Sequence, residues 1–401
     1  MGVLMLGAGL QGTFLALRAT LEGFPAPVTG MVMSCYYVGY LLGTVAAPRL
    51  LQRVGHIRVF AALAAVASAT ILVQGSFVRP LPWAALRLIS GVCFAGIYVV
   101  AESWLNDRAS HANRGRLLAL YMLILYVGLG AAQFLLVLSN PLTTTPFMLI
   151  SVLISLAMVP IVVSAQPIPQ PAAPREVRYR DLYRNTPLGV VAVSASGLIS
   201  AIIFSMGPVY ARLSGLGTSG VATFMALSIC AAVLTQYPIG RLSDYMDRRT
   251  VIAGVCALAT IVAGSIVAFG SLPRAVFLIL AALFSGFALT LYSLAVSHIN
   301  DKLDTTQMVA ASSALLRLNG AAAAIGPVLV GSLIAAFGPP AYFATLALLT
   351  GALTLYDLWR KARRRPVPPA QKGPFISAQP QGMTGQIVGY AVLDKSKRSG
   401  E

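Results

Sequence analysis

The chain has 401 residues, of which 57% are hydrophobic and 10% charged, and its 29 basic and 12 acidic residues leave a net charge of +17. An ordinary soluble domain carries roughly 25% charged residues, so this chain lacks the polar surface to coat a globule in water and belongs in lipid. Its positive charge is spread over short loops and a C-terminal tail rather than gathered on a domain, which makes the bilayer, and not nucleic acid, the expected partner.

Residues 1–21 form the first apolar segment. Runs free of Asp, Glu, Lys and Arg follow at 23–48, 59–78, 117–174, 185–211, 213–240, 250–273 and 275–300, and the stretch through Arg87 supplies another span. A bilayer-crossing helix needs about 20 apolar residues. Ser139-Asn140-Pro141 divides the longest run in two, and Gly338-Pro339-Pro340 divides the last apolar region. Twelve transmembrane helices result. A barrel would alternate at period two, which these runs do not. The fold class is an all-α integral membrane protein.

Six spans fill an N-terminal half, 1–163. A cytoplasmic linker, 164–187, contains Pro167, Pro169, Pro171 and Pro174, then a basic stretch in which 177–183 is expected to form a short helix on the anionic inner leaflet. Six more spans fill 188–358. The basic tail, 359–401, is rich in Gly, Pro, Gln and Lys and has little to bury, so disorder is expected. The first span starts at Met1 without a leader, which suggests a start codon assigned too late, and no cleavable signal is expected.

Assigned alternately, the loops place only Arg18, Arg79, Arg212 and Arg274 on one side, while Arg87 and Arg317 fall inside spans. All other basic residues share the opposite side, which the positive-inside rule makes cytoplasmic, together with both termini. Cys35, Cys93, Cys230 and Cys256 fall within spans and read as small buried residues. His56, His111 and His298 fall in loops without metal-ligand spacing, so no metal or cofactor is expected.

The halves are related. Sliding the chain by 192 lays Pro48-Arg49-Leu50 on Gly240-Arg241-Leu242; 195 lays Ser90-Gly91 on Ser285-Gly286; 194 lays Asn106-Asp107-Arg108 on Asn300-Asp301-Lys302. Three landmarks in one order and nearly one phase mark two six-helix pseudo-repeats.

The loop GRLSDYMDRR, residues 240–249, and its altered copy PRLLQRVGHIR, residues 48–58, resemble the signature loops of the major facilitator superfamily. The segment RLISGVCFAG, residues 87–96, resembles that family's Arg-x-x-x-Gly-x-x-x-Ala pattern, with Gly91 and Ala95 in place. The resemblance implies the fold of that family and transport by alternating access, with a gate in which Asp244 engages a helix N-terminus of the opposite half. Gly240 would permit close approach, and Arg241, Arg248 and Arg249 match the basic positions. Arg53, Gly55, Arg58 and Arg114 are the corresponding candidates in the first half, whose copy has Pro48 for the glycine and Gln52 for the acid. The segment 99–122 is similar to an uncharacterised bacterial branch, which implies the bacterial inner membrane. Gly326-Pro327 should bend the eleventh span. The Gly-Pro signature of drug/proton antiporters is missing from 126–134, which reads YVGLGAAQF.

An arginine inside a span is expensive and by default functional. Arg87 has one acid on its side of the membrane, Glu22, and the two form a plausible pair; snorkelling to headgroups is the alternative. Arg317 has no obvious carboxylate in reach, so its counter-charge is either an anionic substrate or, for a structural arginine, backbone carbonyls and Asn319. Gln11, Tyr98, Gln133, Gln236 and Tyr292 are candidate polar contacts, and Glu22 or Glu102 would carry any proton coupling. The expected function is secondary transport of a small organic solute by a monomer, with an anion favoured and proton coupling open. Multidrug efflux and a non-transporting receptor are the alternatives. An enzyme is not expected, since no paired acids, metal ligands or base-assisted nucleophile stand within the spans.

Overall fold

A computed structural model describes residues 1–108, 114–163, 179–303, 305–361 and 375, with side chains at 106–116, 118, 119 and 305–310 outside the description. The first six helices are α1 Gly2–Leu21, α2 Ala26–Val54, α3 His56–Ser76, α4 Pro80–Arg108, α5 Arg114–Leu135 and α6 Thr145–Val163. A short helix, α7 Tyr179–Asn185, precedes the second set. That set comprises α8 Pro187–Ala201 running through a π-helical turn at Ile202–Met206 into α9 Gly207–Leu213, then α10 Thr218–Tyr245, α11 Arg248–Phe269, α12 Arg274–Asn300, α13 Thr305–Phe337 and α14 Ala341–Lys361. Counting α8 to α9 as one crossing, eleven of these are long and apolar enough to span a bilayer, and α5 supplies the shorter apolar helix Leu120–Leu135.

Several helices outrun the apolar segments that announce them. The helices α2 and α4 each have 29 residues and α13 has 33, where about 20 suffice for the hydrocarbon. Their ends carry polar residues beyond the membrane core. This corrects the placement of two histidines in loops: His56 opens α3, buried, with Nε2 3.0 Å from Ser103 Oγ, and His298 is buried in the last turn of α12. His111 lies outside the described residues. Cys93 and Cys256 are buried as expected, Cys35 is half-buried, and Cys230 is exposed on the bundle surface.

Within the halves, α2 packs on α4 and α10 on α12; between them, α2 packs on α13 and α5 on α10. The contact of α2 with α13 is closest at the end away from Met1 and Lys361. A Cβ added to Gly30 would overlap the Pro327 carbonyl, and one on Gly331 would overlap that of Ala26. Only glycines let two backbones approach this far. The two halves therefore meet backbone to backbone at that end. Pro327 lies inside the continuous helix α13.

Candidate functional site

The RLISGVCFAG segment builds the site from its packing. A Cβ on Gly91 would overlap the Tyr36 carbonyl, one on Gly39 the Leu88 carbonyl, and one on Gly43 would press against Ala95. Small residues in these positions let α4 lie on α2, and the approach sets Arg87, about 10 Å into α4, over the Tyr36 ring. Its guanidinium carbon stands 4.3 Å from the ring centroid, within the range of a cation–π contact. Arg87 is 4% exposed, and its Nε is buried without a hydrogen-bond partner. Among the described residues no carboxylate pairs with it.

Arg87 lines a cavity of about 70 Å³ together with Gln11, Gln133, Tyr37 and Ser205. Gln11 Nε2 and Gln133 Oε1 are buried with no hydrogen-bond partner, while Gln133 Nε2 donates to the Leu129 carbonyl at 3.1 Å. The cavity wall thus holds an unneutralised cation, an unused donor and an unused acceptor. Buried polar groups left unsatisfied are costly, which fits a site completed by a polar ligand. Both halves contribute: the Tyr37 and Ser205 hydroxyls stand 3.2 Å apart, and Ser205 sits in the π-helical turn. Below it, Tyr126 donates to Gln236 Oε1 at 2.9 Å, and Gln236 Nε2 donates to Ser293 Oγ at 2.9 Å.

The remaining candidates separate. Glu22 is not the counter-ion of Arg87: it pairs with Arg18 at 2.6 Å, and Arg18 also donates to the Pro141 carbonyl at 2.6 Å. The i, i+4 spacing on α1 settles this pairing locally. Glu102 is 0% exposed near the other end of α4, within electrostatic reach of Tyr40, Tyr98, Tyr121 and Tyr292. It lies about 22 Å along the helix from Arg87 and does not line the cavity. Neither does Arg317, which is half-buried on α13. Asn319 is structural, its Nδ2 donating to the Val193 carbonyl and Ser196 Oγ at 3.0 Å each and so tying α13 to α8. Tyr36, Tyr37 and Ser205 escaped the sequence reading. Tyrosine and serine are ordinary packing residues in a span, and the π-helical turn that presents Ser205 has no signature in its apolar sequence.

The gate residues form a second cluster. Arg248, 1% exposed, reaches Asp301 at 3.3 Å and Asp244 at 3.4 Å, joining the α10–α11 turn to the end of α12. Asp247 caps α11, accepting from the Arg249 backbone N–H at 3.1 Å and pairing with its guanidinium at 3.0 Å. Burial alone would raise the Asp247 carboxyl, but those Arg249 contacts outweigh it and leave the group below the usual range. Arg241 is exposed, with Tyr237 Oη 3.4 Å away. The expected contact of Asp244 with a helix N-terminus of the other half is not seen among the described residues. In the first half, Arg53 and Arg58 are exposed and Gly55 makes the α2–α3 turn at φ 88°. Arg114 opens α5, and its side chain lies outside the described ones.

The family model for the Major Facilitator Superfamily matches residues 1–316 and 221–393. A relative in Enterobacter sp. (strain 638), called an uncharacterized MFS-type transporter, is 29% identical over 375 residues, covering 92% of this chain and 95% of its own length. The structure of the nucleoside transporter NupG matches with a TM-score of 0.74 at 14% identity, covering 90% of this chain and 98% of that one. The human organic anion transporter MFSD10 matches with a TM-score of 0.59 at 16% identity, covering 88% and 98%.

Proposed function

We propose a function from one premise: this chain belongs to the major facilitator superfamily. The reading is secondary transport of a small organic anion by alternating access across a bacterial inner membrane, carried out by a monomer with both termini in the cytoplasm. The observation that carries it is Arg87, a buried guanidinium at a cavity wall with no carboxylate partner among the described residues. A desolvated cation needs a counter-charge, and a guanidinium offers a planar fork suited to carboxylate or phosphate. MFSD10 is an organic anion transporter and NupG a nucleoside transporter; of those two cargo classes, only the anion would neutralise Arg87.

The cavity holds about 70 Å³, whereas sites for drug-sized ligands run to roughly 300–1,000 Å³. This conformation is therefore contracted, and the site widens as the halves rock. Glu102 is the candidate proton carrier, since Glu22 is already engaged by Arg18. Its burial among tyrosines of α2, α4, α5 and α12 links it to both halves.

Thermal-shift screening of purified protein against carboxylates and organic phosphates, followed by flux in proteoliposomes, tests the reading. Arg87→Ala should weaken an anionic ligand by about 10- to 100-fold, the scale of hydrogen bonds to a charged group. Binding without flux would make the protein a receptor. A neutral ligand bound equally by wild type and Arg87→Ala would end the anion reading.

A further inference from the structure

The helix α10 presents one stripe of residues at i, i+4 and i+8: Gln236, Gly240 and Asp244. Residues four apart on a helix share a face. At Gln236 that face meets the other half, through the hydrogen bond from Tyr126 of α5. One and two turns further on, it meets the C-terminal tail. The ring of Phe375 is seated on Gly240 so closely that a Cβ there would overlap it. The Phe375 backbone N–H donates to Asp244 Oδ1 at 2.7 Å, the oxygen that also faces Arg248 at 3.4 Å. Phe375 is half-buried and packs against the hydrophobic core.

We propose that Phe375 is a built-in wedge: it docks in the Gly240 notch, with its N–H on Asp244, and blocks closure of the bundle at the end that carries Met1 and Lys361. For the halves to close there, the α10 face that already meets α5 at Gln236 must meet it further along, at Gly240 and Asp244. That surface is occupied. Phe375 follows Lys361 by 14 residues, and a chain of that length can extend to about 45–50 Å, which puts more than one site within reach. At the opposite end the halves meet backbone to backbone at Gly30 and Gly331. The wedge thus favours the conformation closed at that far end, and its release allows the reverse conformation. Arg248 and Asp301, paired behind Asp244, hold the docking acid in place.

The experiment needs no cargo, so its result is independent of the anion reading. In the full-length chain with Cys35, Cys93, Cys230 and Cys256 replaced, Gly240→Cys and Phe375→Cys should form a disulfide on mild oxidation in membranes. The removed ring leaves room for the new Cβ. In the same background, Gly12→Cys reports from the cavity wall, where nothing lies within 4 Å of its Cβ position. An impermeant thiol reagent added on the side away from the termini should label it several-fold faster when the chain ends after Lys361. Phe375→Ala in the intact tail should do the same, which keeps the test valid if the shortened chain folds poorly. Failure to cross-link, or equal labelling in the wild-type and Phe375→Ala chains, would overturn the wedge.

Discussion

The two halves use one packing device for opposite ends. In the first, α4 lies on α2 through Gly39, Gly43, Gly91 and Ala95. Shifts of 192 for α2 and 195 for α4 turn these into Ala231, Thr235, Gly286 and Thr290, and α12 lies on α10 at the same place, with Thr235 Oγ1 donating to the Gly286 carbonyl at 2.9 Å. The same shifts turn Arg87 into Ala282 and Tyr36 into Ser228. The first half therefore keeps its charge inside the membrane, on the cavity. The second has no charge at the matching place: its in-span Arg317 stands on α13 off the cavity, and its buried ion cluster is at the rim, where Arg248 joins Asp244 and Asp301. A repeat fixes where helices approach, and the side chains at the seam decide what each half does there.

The strongest way to break this comparison is Arg248→Ala. It removes the guanidinium that faces the Asp301 side chain, 3% exposed, and breaking a buried ion pair costs about 3–5 kcal/mol. Among the described residues the counterpart loop shows no buried ion pair. Arg53 and Arg58 are exposed, so Arg53→Ala should stay within about 0.5 kcal/mol. Thermal unfolding in detergent is the readout, and equal shifts for the two substitutions would show that the rim cluster is no more important than its altered copy.

Next in size is the seam itself. Gly91→Ala forces a methyl into the Tyr36 carbonyl, part of a backbone that cannot turn aside, while Gly286→Ala first meets the methyl of Thr235, a side chain that can rotate. Overpacking costs typically 1–3 kcal/mol, with Gly91→Ala at the upper end and Gly286→Ala at or below the lower one. Gly91→Ala should also displace Arg87 from Tyr36 and weaken anion binding. Melting temperatures and ligand affinity measured together check both parts.

Most of the fold could be read from the sequence because lipid imposes length and periodicity on every crossing. Apolar runs near 20 residues, turn signals at Ser139-Asn140-Pro141 and Gly338-Pro339-Pro340, and the bias of arginines carried the twelve crossings. The site was only half legible. Arg87 and Gln11 stood out as polar residues in apolar helices, but which acid faces Arg87 depends on side-chain direction, and Glu22 turns to Arg18 four residues back. Arg317 and Asn319 looked like one cluster two residues apart, yet Asn319 turns to α8 and neither lines the cavity. Asp357, at the end of the expected C-terminal half, is fully buried, since α14 continues to Lys361. Contacts across the halves, such as Tyr37 with Ser205, leave no local trace.

The smallest expected effect sharpens the comparison at its subtlest point. Where the first half has Gly43 against Ala95, the second has Thr235 and Thr290, their hydroxyl oxygens 3.3 Å apart. Each threonine also has a helix carbonyl to donate to, Thr235 that of Ala231 on its own helix or Gly286 across the seam, each at 2.9 Å, and Thr290 that of Gly286 at 2.7 Å, so neither hydroxyl depends on the other. Side-chain hydrogen bonds between membrane helices average about 0.6 kcal/mol in double-mutant cycles. The coupling between Thr235→Val and Thr290→Val should fall at or below that value. Valine preserves the shape, so the cycle isolates the hydroxyls. A coupling well above about 1 kcal/mol would mean that the two hydroxyls fasten the seam to each other, beyond what each gains from a carbonyl.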